Sequence, residues 1–138
     1  MHAGSAYILN KAVTDPETAK SPSQTLAERG LDLLAAGSPV EAAEAFRAAI
    51  VAGQSNDEAC AEAHHGLIRA LRDAGQLDQS VAAAMALTAL TPADPLAHTA
   101  LSISLQAAGH VPQAEAAAAR ARVLEWKIQL QSPSGEVR

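Results

Sequence analysis

Aromatic side chains are almost missing from this 138-residue sequence: Tyr7, Phe46 and Trp126 are the only three. Little is then available for stacking single-stranded bases. The formal charge of −5 points the same way, because phosphate binding wants a surplus of Lys and Arg. Cysteine is equally scarce: Cys60 is the only one, which excludes an internal disulfide and fits a reducing compartment. No apolar run approaches the roughly 20 residues of a membrane-spanning helix. Residues 1–20 lack the basic start and continuous apolar stretch of a secretory signal. The expectation is a cytoplasmic protein that contacts neither nucleic acid nor membrane.

What the sequence does have is alanine. Nearly half of it is apolar, and much of that is alanine. A core short of large flat residues must bring backbones close together, as helices do when small side chains line their contacts. Alanine also has the best helix propensity, about 0.5 kcal/mol per residue better than β-branched types. An all-α fold follows.

Three Ala-Gly pairs punctuate the chain, at Ala36-Gly37, Ala74-Gly75 and Ala108-Gly109, with the glycines 38 and then 34 residues apart. An apolar stripe at helical spacing precedes each one: Leu26, Leu33 and Leu34; Leu67, Ile68 and Leu71; Leu101 and Leu105. Each glycine therefore sits where a helix must stop in a left-handed turn. Start signals agree. Ser21-Pro22-Ser23-Gln24 reads as a capping box, Ser38-Pro39-Val40-Glu41 reads as a second, and Asp94-Pro95 and Pro112 open further helices. The spacing predicts helices near 22–36, 39–53, 58–74, 78–90, 95–108 and 112–131, which pair into three hairpins.

This pattern resembles the tetratricopeptide repeat family, whose unit is a helix-turn-helix of about 34 residues. Seven residues before the turn glycine, where that family keeps a small residue, stand Gly30, Ile68 and Ser102; five after it stand Ala42, Ser80 and Ala114. Nine after, the family's aromatic place holds Phe46, Ala84 and Ala118, and twelve after stand Ala49, Leu87 and Ala121. The proline expected near the end of a repeat appears only as Pro92. The resemblance implies a right-handed α-solenoid of three hairpins, about 22–56, 58–93 and 95–131 within 21–131. About four additional residues fall in the loop at Val51–Asn56 of the first. A generic right-handed stack of hairpins is the alternative. Residues 1–20 then form an arm carrying Tyr7-Ile8-Leu9, which is disordered, covers the first repeat or occupies the groove as a self-ligand. Residues 132–138 form a flexible tail. The long last helix carries Val123, Trp126, Ile128 and Leu130; Trp126 is expected to cap the open stack, or else to join two copies in a homodimer.

One stretch tempts a chemical reading. CAEAHHGLIR, residues 60–69, packs Cys60, Glu62, His64 and His65 together, and Cys60 and His64 share a helix face. A zinc site wants four ligands, and the set could be completed only by Glu62 and His98. Register offers a plainer account, since His64 and His98 each lie eleven residues before a turn glycine, where Leu26 stands in the first repeat. No Ser-His-acid elbow and no phosphate-cradling glycine loop is present. Gly30 and Gly66 are isolated within helices at about 1 kcal/mol each against alanine. Close packing accounts for Gly30, while Gly66 leaves space for a ligand or a neighbouring side chain. No enzyme, metal or cofactor is expected.

The resemblance further implies that the first helices of the hairpins line a concave groove for a peptide or helix of another protein. Its residues would be Gln24, Ala27, Leu31, Leu34 and Ala35, then Glu62, His65, Arg69, Arg72 and Asp73, then Leu96, Thr99, Ile103 and Gln106. That arrangement implies a cationic middle between apolar ends, suited to a segment with apolar anchors and an acidic residue. The carboxylate clamp of some family members is absent, since the matching positions hold Ala27, Leu31, Gly66, Leu96 and Ala100. The expected function is a non-enzymatic adaptor or scaffold. A secretion-type or assembly chaperone is one alternative. A metal- or small-ligand-binding protein using Cys60, His64, His65 and His98 is another.

Overall fold

The computed structural model describes residues 19–53 and 58–132. They form six helices and, among the described residues, no strand: α1 (Pro22–Ala35), α2 (Pro39–Ala52), α3 (Glu58–Asp73), α4 (Leu77–Leu90), α5 (Pro95–Ala107) and α6 (Val111–Gln131). These helix ends fall within one residue of those expected from the Gly, Pro and capping signals. Tyr7-Ile8-Leu9, most of the loop after the first hairpin and residues 133–138 lie outside the described residues.

All three hairpins close in the same way. Gly37, Gly75 and Gly109 stand at φ of 81°, 77° and 88°, a region in which a side chain is strained. The Gly37 N–H donates to the Leu34 carbonyl at 3.0 Å, and the Ser38 N–H to the Leu33 carbonyl at 2.8 Å. Gly75 and Gln76 bond Arg72 and Leu71 in the same pattern, and Gly109 and His110 bond Gln106 and Leu105. This Schellman closure satisfies carbonyls left over at the helix end. The carbonyls of Ser38, Gln76 and His110 then accept from Ala42, Ser80 and Ala114, so one residue ends the first helix and begins the second.

That double duty explains a departure from expectation. The Ser38 side chain caps nothing, because the closure sets its backbone at φ −115°, ψ 68° instead of the extended conformation of a capping serine. The box at Ser21 is made: the Gln24 N–H donates to Ser21 Oγ at 3.1 Å, and the Ser21 N–H to Gln24 Oε1 at 2.8 Å.

Links as short as 36–38, 74–76 and 108–110 make the helices they join antiparallel. Each helix packs on the next, and α3 also packs on α1 and on α5. Residues at equivalent places are buried alike. Ala42, Ser80 and Ala114 are each fully buried where paired helices meet. Ser80 Oγ donates to the Ile68 carbonyl at 2.9 Å and lies 2.7 Å from Ser104 Oγ, which must then donate to it. Ser23 Oγ donates to the Ala49 carbonyl at 2.9 Å, so these buried hydroxyls tie helices together without leaving a polar group unpaired.

The single phenylalanine holds the first three helices. Phe46 of α2 is fully buried. A Cβ placed on Gly30 of α1 or on Gly66 of α3 would come within 2.6 Å or 2.4 Å of its ring. Gly66 is thus spent on Phe46, as Gly30 is, and both pay the helix-propensity cost for one aromatic ring.

Trp126 does not cap the stack. On α6 the core-facing residues are Ala114, Ala117, Ala121 and Leu124, whereas Trp126 is 61% exposed. At about 100° per residue, two positions past Leu124 lie on the far side of the helix. Val123, Trp126 and Leu130 therefore share a solvent-facing stripe, with Arg120, Arg122 and Lys127 beside it. Ile128 continues the core-facing row past the partner helix and is half exposed.

Candidate functional site

The antiparallel hairpins point α1, α3 and α5 the same way, with α3 between the other two. Two open hollows run across these helices. One, of about 440 Å³, is bounded by Leu31 and Leu34 of α1, by Glu58, Ala61, Glu62, His65, Gly66 and Arg69 of α3, and by Asp94 and Leu96 at the start of α5. The other, of about 290 Å³, is bounded by His65, Ile68, Arg69 and Arg72 of α3 and by Leu96, Thr99, Ala100 and Ile103 of α5. They share His65, Arg69 and Leu96 and so form one groove.

Of the residues expected to line the groove, Leu31, Leu34, Glu62, His65, Arg69, Arg72, Leu96, Thr99 and Ile103 border it. Ala27 does not: it is 2% exposed and belongs to the core around Phe46. Gln24 is engaged in the cap of α1. Gln106 is exposed near the end of α5, where its carbonyl accepts the Gly109 N–H. The expected set lacked Glu58, Ala61, Gly66, Asp94, Ile68 and Ala100. Asp94 carried a visible signal as a helix cap, and its Oδ1 accepts the Leu96 N–H at 2.9 Å.

The charge of the groove differs from the cationic middle expected of it. Glu58 and Glu62 stand early in α3 and Asp94 at the start of α5, while Arg69 and Arg72 come late in α3. This order complements the helix dipole, which favours acids near N-termini and bases near C-termini. Arg69 Nε also lies 3.7 Å from Asp73 Oδ2, one turn on. The groove is therefore acidic at one end and basic at the other, with exposed leucines on both flanks.

The cysteine-histidine stretch divides. Cys60 is 3% exposed, and the ring Nε2 of His98 lies 2.9 Å from the Pro92 carbonyl, where it ties the loop before α5. Among the described residues, no three of the His, Cys, Asp and Glu side chains come together as metal ligands. His64 is half-buried, and burial, reinforced by the neighbouring His65, lowers its affinity for a proton from the ordinary imidazole value of 6.5. The folded chain then holds His64 neutral where the unfolded chain protonates it. The stability this gives is present above the ordinary value and is lost as pH falls through it toward the lowered one. Thermal unfolding should accordingly shift down between about pH 7.5 and pH 5.5, and His64→Leu, which copies Leu26 of the first hairpin, should flatten that dependence. An unchanged slope in His64→Leu would assign the acid sensitivity elsewhere.

Comparison with protein-family models and with curated proteins gives no match.

Proposed function

We propose that this chain is a tetratricopeptide-type right-handed solenoid of three repeats and a non-enzymatic interaction module. In this reading it holds a peptide or helix of another protein along the groove of α1, α3 and α5. The observation that carries the reading is the groove's continuity across three helices: the two hollows share His65, Arg69 and Leu96. The three identical turn closures and the equivalent burial of Ala42, Ser80 and Ala114 support the repeat assignment. A filled core beneath an open apolar channel suits binding of a polypeptide face better than enclosure of a small molecule.

The partner in this reading brings apolar side chains to Leu31, Leu34, Leu96 and Ile103. It sets a carboxylate against Arg69 and Arg72 and a base against the acids at the other end. Peptides selected from a random display library on the wild-type chain should share that pattern. The pair Arg69→Glu and Arg72→Glu should weaken their binding at least tenfold while leaving the melting temperature within about 2 °C, since both arginines reach solvent and exposed charges contribute little to stability. Selected peptides that bind the double variant as tightly as the wild type would overturn the reading.

A further inference from the structure

We propose that the groove takes the projecting end of α6 from a second copy of this chain, and that two copies exchange these ends to form a closed dimer. The inference rests on the groove being a surface that holds a helix, and it names one helix whose chemistry fits.

The projecting end comes from unequal lengths. α5 has 13 residues and α6 has 21, so their antiparallel pairing leaves the last part of α6 beyond the start of α5. The core-facing row loses its cover after Leu124, and from Glu125 to Gln131 every residue is exposed. These turns extend about 10 Å and carry Trp126, Ile128 and Leu130 at 61%, 53% and 67% exposure. Large apolar side chains gathered on an unsupported helix end mark a contact surface.

Their arrangement around the helix matches the groove. Trp126 and Leu130 share one side with Val123, Ile128 lies on the opposite side, and Lys127 and Gln131 lie on the edge between. The groove has the same order: Leu31 and Leu34 of α1 on one flank, Leu96 of α5 on the other, and Glu58 and Glu62 of α3 between them. A helix laid there sets its two apolar sides against the two leucine flanks and Lys127 against the acids. Its last carbonyls, the negative end of the helix dipole, then point on toward Arg69 and Arg72.

Charge also decides against direct pairing of two α6 stripes. Although the chain carries a net charge of −5, three of its 10 Lys and Arg residues fall within 120–127. Two stripes laid side by side would bring Arg120, Arg122 and Lys127 of both copies together, and like charges in contact are disfavoured. The groove offers Glu58, Glu62 and Asp94 instead.

Position makes the contact reciprocal. α6 runs antiparallel to α5 and ends beside its N-terminal end, and the groove acids stand at the N-terminal ends of α3 and α5. The projecting end and the acidic mouth of the groove therefore lie at the same end of the molecule. A two-fold axis perpendicular to the helices that brings one end into the partner's groove also brings the partner's end into the first, so the assembly closes without forming a filament. One such end is small against the roughly 800 Å² per partner of a standard interface, and exchange doubles the contact.

The test is sedimentation equilibrium on the full chain and on two variants of exposed residues. Trp126→Ser with Leu130→Ser removes anchors from the projecting end, and Glu62→Lys with Leu96→Ser alters the groove. The wild-type mass should rise with concentration from 14.1 kDa toward twice that value. Each variant should dimerise at least tenfold more weakly while keeping its helical circular dichroism. Mixed in equal amounts, the two variants should form a heterodimer, because one intact end then meets one intact groove. A groove variant that dimerises as well as the wild type would overturn the proposal in favour of stripe pairing, and a mixture that dimerises no better than either variant alone would overturn it as well. So would a wild-type chain that stays monomeric to about 1 mM. The two readings fail separately. Library peptides that depend on Arg69 and Arg72, together with a chain that never dimerises, would remove the exchange and keep the interaction module. Complementing variants with no library peptide ever selected would keep the exchange and remove the foreign partner.

Discussion

Phe46→Ala is expected to cost about 3–5 kcal/mol of unfolding free energy, the range for emptying a fully buried aromatic site. Against the ring, Gly30 of α1 and Gly66 of α3 have no side chains to rotate into the void, while Leu67 and Leu71 of α3 share its core. A domain of this size has only about 5–15 kcal/mol in total, so the substitution should lower the melting temperature by roughly 10–20 °C. Urea titration followed by far-ultraviolet circular dichroism measures this directly. A loss below about 1 kcal/mol would mean that the ring is not the tie between the first three helices. The groove should suffer with the core, since Leu31 and Leu34 are carried by α1 and His65 by α3, and Phe46 holds those helices at their spacing.

Gly66→Ala should also destabilise the chain, although alanine is the better helix former by about 1 kcal/mol. The added Cβ would meet the Phe46 ring at 2.4 Å, well inside van der Waals contact. The ring cannot retreat, because Gly30 lies against it as closely from α1. Overpacking of this kind costs about 1–3 kcal/mol after relaxation, enough to outweigh the gain in propensity. The decisive measurement is the double-mutant cycle. With Phe46→Ala already present, Gly66→Ala should become neutral or stabilising, because the methyl then fills space instead of colliding. Additive losses would show that Gly66 is required by something other than the ring. Gly66→Ala raising the melting temperature in the otherwise unchanged chain would contradict the packing itself.

The groove was legible in part for the same reasons that the core was. The resemblance places His65, Arg69 and Arg72 there, at helical positions counted back from the turn glycine. In the first hairpin Ala27 stands at the place of His65 and Gln24 at that of Glu62, and yet neither borders the groove. Ala27 is taken into the core, where α1 meets Phe46, and Gln24 is taken by the cap. The acids at one end were visible as residues but not as neighbours. Glu62 and Asp94 are 32 positions apart in the chain, and only the packing of α3 on α5 brings them to one hollow.

Local chemistry written in the sequence determined the six helices and their turns. A glycine able to stand at positive φ ends a helix, a proline begins one, and a serine with glutamine three residues on caps one; each acts within a few residues and needs no tertiary partner. The excess of small side chains likewise determined that the helices would pack closely. Tertiary structure alone decided which face each helix buries and where that burial stops. Trp126, the largest apolar side chain in α6, is left in solvent because the row facing α5 is made of Ala114, Ala117, Ala121 and Leu124. Gly66, ambiguous as a letter in a helix, acquires its reason from a phenylalanine 20 residues earlier. Contacts between residues distant in the chain depend on the shapes of both surfaces at once, and neither surface is written in the neighbourhood of the residue it constrains.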